Sequence, residues 1–72
     1  MDWKETVYDS GNIEFNNKEY KDYYITFKSS GEDKGYWVSR KGKYSFRTGP
    51  YVSFDKALSV IKNEKRSKIK FI

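Results

Sequence analysis

The chain has no cysteine and no histidine, and only one proline and one methionine. Without cysteine there is no disulfide to staple a small domain, no thiol nucleophile and no thiolate metal ligand. Without histidine, the commonest general base near neutral pH and a common metal ligand are also missing. The acids supply no substitute, because no Asp-x-Asp or Glu-x-x-Glu pattern occurs among them. Gly31, Gly35, Gly42 and Gly49 are spaced as turns, not as a phosphate-binding loop opening a helix. No enzyme, no cofactor and no metal is therefore expected. Long apolar runs are absent too. Nothing approaches the ~20 residues needed to span a bilayer, and Met1-Asp2-Trp3-Lys4-Glu5 does not read as a secretory leader. The expectation is a soluble, cytoplasmic protein with no membrane partner.

What is present is aromatic and charged. Seven Tyr, five Phe and two Trp stand in 72 residues. Aromatic and β-branched residues favour strands, so the composition leans toward a sheet. At this length one domain, residues 1–72, is expected, with fraying at 1–4 and 67–72. A core this small leaves a net stability of only a few kcal/mol.

Turn residues divide the chain. Ser10-Gly11 predicts a two-residue hairpin within 5–16, pairing Tyr8 with Ile13 and Thr6 with Phe15. Asn16-Asn17-Lys18 predicts the next reversal, pairing Phe15 with Glu19 and leading into a strand over 19–28. In that register Ile13, Phe15, Tyr23, Ile25 and Phe27 share one apolar face. Residues 29–35 are polar with two glycines and read as a loop. Lys41-Gly42 predicts a second hairpin over 36–48; a two-residue turn sets Trp37 opposite Phe46 and Ser39 opposite Tyr44, with a bulged type I turn as the other reading. Tyr36, Val38, Arg40, Lys43, Ser45 and Arg47 then point to the other side. Gly49-Pro50 is expected to end that strand.

Ser53 reads as a helix cap. Phe54, Ala57, Leu58 and Ile61 follow at i, i+3, i+4 and i+7, one apolar stripe. Asp55 in the first turn and Lys62, Lys65 and Arg66 late match the helix dipole. The last residues, Lys68-Ile69-Lys70-Phe71-Ile72, alternate like a short strand, with a frayed basic tail as the other reading. The fold class is α+β: a small antiparallel β-sheet of four to five strands with one amphipathic helix near the C-terminus packed on one face. The stripe is expected to meet Ile13, Phe15, Tyr23, Ile25, Phe27, Trp37 and Phe46. In outline, a three-stranded sheet followed by a packed helix is similar to the plant AP2-type and phage-integrase amino-terminal DNA-binding domains. The likeness is one of architecture, with no motif of either carried residue by residue.

Charge narrows the function. The net is +5, but unevenly placed. Residues 1–33 carry four lysines against eight acids, and residues 34–72 carry eleven Lys or Arg against Asp55 and Glu64. A basic half on an ordinary domain points to a polyanionic partner. If the helix covers one sheet face, the other is free to present Tyr24, Lys28, Tyr36, Arg40, Lys43 and Arg47, with Lys41 at the hairpin tip. Cations there would track phosphates and tyrosines would stack on bases. Lys62, Lys65, Arg66, Lys68 and Lys70 form a second candidate patch. The primary expectation is a nucleic-acid-binding module for DNA or RNA. The alternative is a protein-binding adaptor or inhibitor, of the phage or mobile-element kind, that docks its basic-aromatic face on an acidic protein surface. A structural subunit with no ligand of its own is the third.

Overall fold

A computed structural model describes residues 3–42 and 45–70, with side chains to residue 64. Five strands run in order of sequence: β1 Lys4–Val7, β2 Ile13–Asn16, β3 Tyr23–Lys28, β4 Gly35–Arg40 and β5 Phe46–Tyr51. They form one antiparallel sheet in the order β1-β2-β3-β4-β5. A single helix, α1 Phe54–Lys70, crosses one face over β3, β4 and β5. The expected α+β class, with one sheet and one helix on one side, is the observed architecture.

The turns decide which side chains meet the helix. Between β1 and β2 the reversal uses three residues, not two. The Gly11 amide donates to the Tyr8 carbonyl and the Tyr8 amide to the Asn12 carbonyl, each at 2.9 Å. Gly11 takes φ +89°, the left-handed conformation that closes a three-residue hairpin. Val7 therefore pairs with Ile13, and Thr6 with Glu14. The expected pairing of Tyr8 with Ile13 is off by one residue, and a slip of one turns every β1 side chain to the opposite face.

The next reversal is longer than expected. Asn17 caps a single 3-10 turn, Lys18–Tyr20, by accepting the Glu19 amide on its side chain at 2.8 Å. Phe15 then pairs with Ile25, not Glu19. This displacement is even, so Ile13, Phe15, Tyr23, Ile25 and Phe27 still share a face as expected.

The β4–β5 hairpin is displaced by an odd number. Arg40, not Trp37, lies opposite Phe46. Tyr36, Val38 and Arg40 consequently sit on the helix side with Ile25 and Tyr23, and Trp37 and Ser39 sit on the other. The strand also continues through Gly49-Pro50 to Tyr51 instead of ending there. A bulge sets Gly49 and Pro50 opposite the single residue Trp37. Pro50 is tolerated because β5 is an edge strand, with no further strand beside it among the described residues to receive an amide.

The helix follows its apolar period. The Ser53 hydroxyl accepts the Lys56 amide at 3.2 Å, as an N-cap should. Ala57, Leu58 and Ile61 are buried against Tyr23, Ile25 and Val38. Phe54 meets Phe15 and Trp3 with ring centroids 5.0 and 5.3 Å apart. Trp3, expected to fray, instead stacks on Tyr20 at 5.9 Å. Residues 68–70 continue the helix and form no strand, while Phe71 and Ile72 lie outside the described residues. Among the described residues no helix is long and apolar enough to cross a membrane.

Candidate nucleic-acid interface

The helix leaves one sheet face uncovered by any other described element. Alternation places Lys4 and Thr6 of β1, Glu14 and Asn16 of β2, Tyr24, Thr26 and Lys28 of β3, Trp37 and Ser39 of β4, and Arg47 of β5 on it. Its centre is a pair of rings, each with a cation above it. The Arg47 guanidinium carbon lies 4.6 Å from the Trp37 ring centroid, and Lys41 Nζ lies 5.4 Å from that of Tyr24. These are cation–π distances. Ser39, small and flanked in register by Tyr24 and Arg47, is only 5 % exposed because the larger side chains close over it.

The backbone makes room for Trp37. At Gly49, on the bulge opposite, a Cβ would lie 2.9 Å from Trp37 Cδ2 and 3.0 Å from its Cε3, so the indole rests against bare backbone. Its Nε1 donates to the Asp33 carbonyl at 2.8 Å. The Asp33 carboxylate in turn receives Lys28 Nζ at 2.7 Å. Together these contacts clip the loop after β3 to the rim of the face. The hydrogen bond from Lys28 holds the Asp33 carboxyl below its ordinary pKa, with the Lys28 and Arg47 charges adding in the same direction.

The face is electrically graded. On the β1–β2 flank, Glu14 accepts from the Tyr8 hydroxyl at 3.3 Å and from Asn16 Nδ2 at 2.9 Å. The Glu14 charge raises the Tyr8 phenol above its ordinary pKa. On the β4–β5 flank, Lys41 and Arg47 are exposed. An anion laid on this face is attracted to the β4–β5 side, whereas on the β1–β2 side the Glu14 carboxylate and the exposed Lys4 offset one another.

The sequence-predicted site residues separate accordingly. Tyr24, Lys41 and Arg47 come together on the open face. Lys28 shares that face, with its ammonium bound to Asp33. Tyr36 does not belong: it is on the helix side, its ring 4.9 Å from Phe27 and 6.3 Å from Phe54. Arg40 does not belong either. It lies on the helix side with its guanidinium carbon 5.7 Å from the Tyr23 ring centroid, and its Nε is buried without a partner among the described residues. Val38, expected to point outward, is fully buried. All three reversals have one cause, the odd displacement of the β4–β5 register. Lys43 lies outside the described residues. Lys62 is exposed on the helix, on the far side of the sheet from the open face. Lys65, Arg66, Lys68 and Lys70 lie on the helix backbone, with side chains outside the described residues.

Sequence reasoning assigned Trp37 to the core and so missed the central residue of the face. The available signal was the hairpin length: with five residues between Arg40 and Phe46 in place of a two-residue turn, Trp37 moves to the open face. No protein-family model, no curated protein and no solved structure matches the chain.

Proposed function

We propose that the protein is a small nucleic-acid-binding module and that its interface is the sheet face opposite the helix. The observation that carries this reading is the pair of cation-topped rings, Tyr24 with Lys41 and Trp37 with Arg47, on an uncovered surface. Rings supply stacking to any base, and the cations meet phosphates. The chemistry is binding, since the sequence provides neither imidazole nor thiol for catalysis. The test is affinity for nucleic acid across a salt series, with Lys41→Ala and Arg47→Ala together as the variant. Binding that weakens with salt and is lost in the double variant supports the reading. Retention of wild-type affinity by the variant refutes this face as the site.

A second reading has its own observation. A cleft of about 460 Å³ is lined by Phe27, Tyr36, Pro50, Tyr51 and Val52, with Lys28 and Lys34 also in its lining. Val52 is 87 % exposed there. An apolar anchor on an acidic protein surface fits that lining. A stoichiometric protein partner that survives nuclease treatment, and that Val52→Asp releases, favours this reading over the first.

A further inference from the structure

The open face differs from a duplex-reading surface in two ways. The first is spacing. Tyr24 lies opposite Ser39 and Thr26 opposite Trp37, so Tyr24 and Trp37 are diagonal neighbours on adjacent strands. Such positions stand ~7–8 Å apart. Bases stacked in a duplex are ~3.4 Å apart along each strand and present their edges, not their faces, to the grooves. Rings carried on backbone positions this far apart can each take a base face only from a strand whose bases are unstacked.

The second is charge. A duplex laid along the strands with its major groove over β3 and β4 sets its two backbones ~12 Å apart. With strands ~4.8 Å apart, one backbone falls over β5 and the other over β2. The β5 side offers Arg47, but the β2 side offers the Glu14 carboxylate, held in place by Tyr8 and Asn16 and set against the exposed Lys4 of β1. A single backbone on the β5 side meets Arg47 and Lys41 without that carboxylate.

We infer that the face takes single-stranded nucleic acid in preference to duplex, with two unstacked bases on Tyr24 and Trp37 and with Lys41 and Arg47 turning from the rings to the adjoining phosphates. This rests on the nucleic-acid reading above and narrows it to one substrate class. The rings are topped by cations in the free protein and by bases in the complex, so the ring faces stay covered in both states.

The experiment compares a labelled single strand of about 12 nucleotides, as DNA and as RNA, with the same sequence annealed to its complement. Anisotropy reports affinity. In Trp3→Phe the only indole left is Trp37, and its emission reports stacking. Tyr24→Ala tests the other platform, with circular dichroism confirming that it folds. The inference expects either single strand to bind about ten-fold or more tightly than the duplex, Trp37 emission to be quenched, and Tyr24→Ala to lose about five- to one-hundred-fold. Should Tyr24→Ala not fold, Arg47→Ala, on an exposed side chain, takes its place with loss of affinity expected. Duplex binding equal to or tighter than single-strand binding overturns the inference and leaves the broader reading standing. Single-strand preference without quenching, and indifferent to Tyr24→Ala, also overturns it, because the site then lies elsewhere. If neither form binds at low salt, both readings fall.

Discussion

Gly49 holds the open face together at the scale of single residues. Its φ of +149° lies where side chains are strained, and the space a Cβ would fill belongs to Trp37 and to the Tyr36 carbonyl, each 2.9 Å away. Gly42 is a useful contrast, with φ +99° and nothing within 4 Å of the place a Cβ would take. Gly49→Ala is expected to destabilise by more than the ~1–3 kcal/mol that backbone strain alone costs. Gly42→Ala carries the strain alone. Urea melts of the two variants check this, and equal losses would show that Trp37 does not rest on residue 49.

Asp33 gives a pH signature. Its folded pKa is depressed by the Lys28 hydrogen bond. A depressed carboxyl stabilises the fold above its unfolded pKa of about 3.9, and that contribution disappears as pH falls through the lower folded value. Carboxyl-carbon NMR titration is expected to find Asp33 among the most acidic Asp residues, and Lys28→Ala to return it toward the ordinary range. An Asp33 already titrating in the ordinary range would mean that the Lys28–Asp33 clip is open in solution.

At the scale of elements, the helix and the sheet were legible to different depths. The helix declared itself through one stripe, Phe54, Ala57, Leu58 and Ile61, and through the Ser53 cap, because side chains three and four apart share a face whatever precedes them. Strand faces depend on loop length, and only its parity matters. An even misjudgement at Asn16-Asn17-Lys18 left Ile13, Phe15 and Ile25 correctly placed. An odd displacement at Ser10-Gly11 turned the β1 side chains over, and another at Lys41-Gly42 exchanged Tyr36, Val38 and Arg40 for Trp37. Glycine conformation in the first loop and the length of the connection between Arg40 and Phe46 are choices that alternation alone does not reveal.

The helix stripe also carries the stability. Leu58 is 5 % exposed and lies against the Tyr23, Ile25 and Val38 cluster. Leu58→Ala is expected to cost about 2–5 kcal/mol, enough to unfold much of so small a domain. Lys62→Ala, on the exposed side of the same helix, is expected to change stability by about 0.5 kcal/mol or less. Thermal melts separate the two, and a Leu58→Ala protein as stable as the wild type would contradict the packing described.

For the whole molecule, the uneven charge of the sequence becomes a gradient across one surface. The acidic half contributes Glu14 to the β2 flank, and the basic half contributes Lys41 and Arg47 to the β4–β5 flank. With Arg40 turned inward and Lys28 bound to Asp33, the face has fewer free cations than the sequence suggests. About two phosphate contacts are expected, from Lys41 and Arg47, giving a log–log salt slope of roughly −1 to −2 on single strands. Isotherms at several salt concentrations check the slope, and a flat dependence would exclude phosphate contacts as a source of affinity. Lys62, on the far side, is expected to leave the slope nearly unchanged when replaced by alanine.

Amide chemical-shift mapping during addition of a single strand of about 12 nucleotides tests the central claim most directly. The expected result is that the perturbed amides cluster at Tyr24, Thr26, Trp37, Ser39 and Arg47 while Leu58 and Ile61 stay still. Perturbations confined to the helix from Lys62 onward, or none at all, would contradict it.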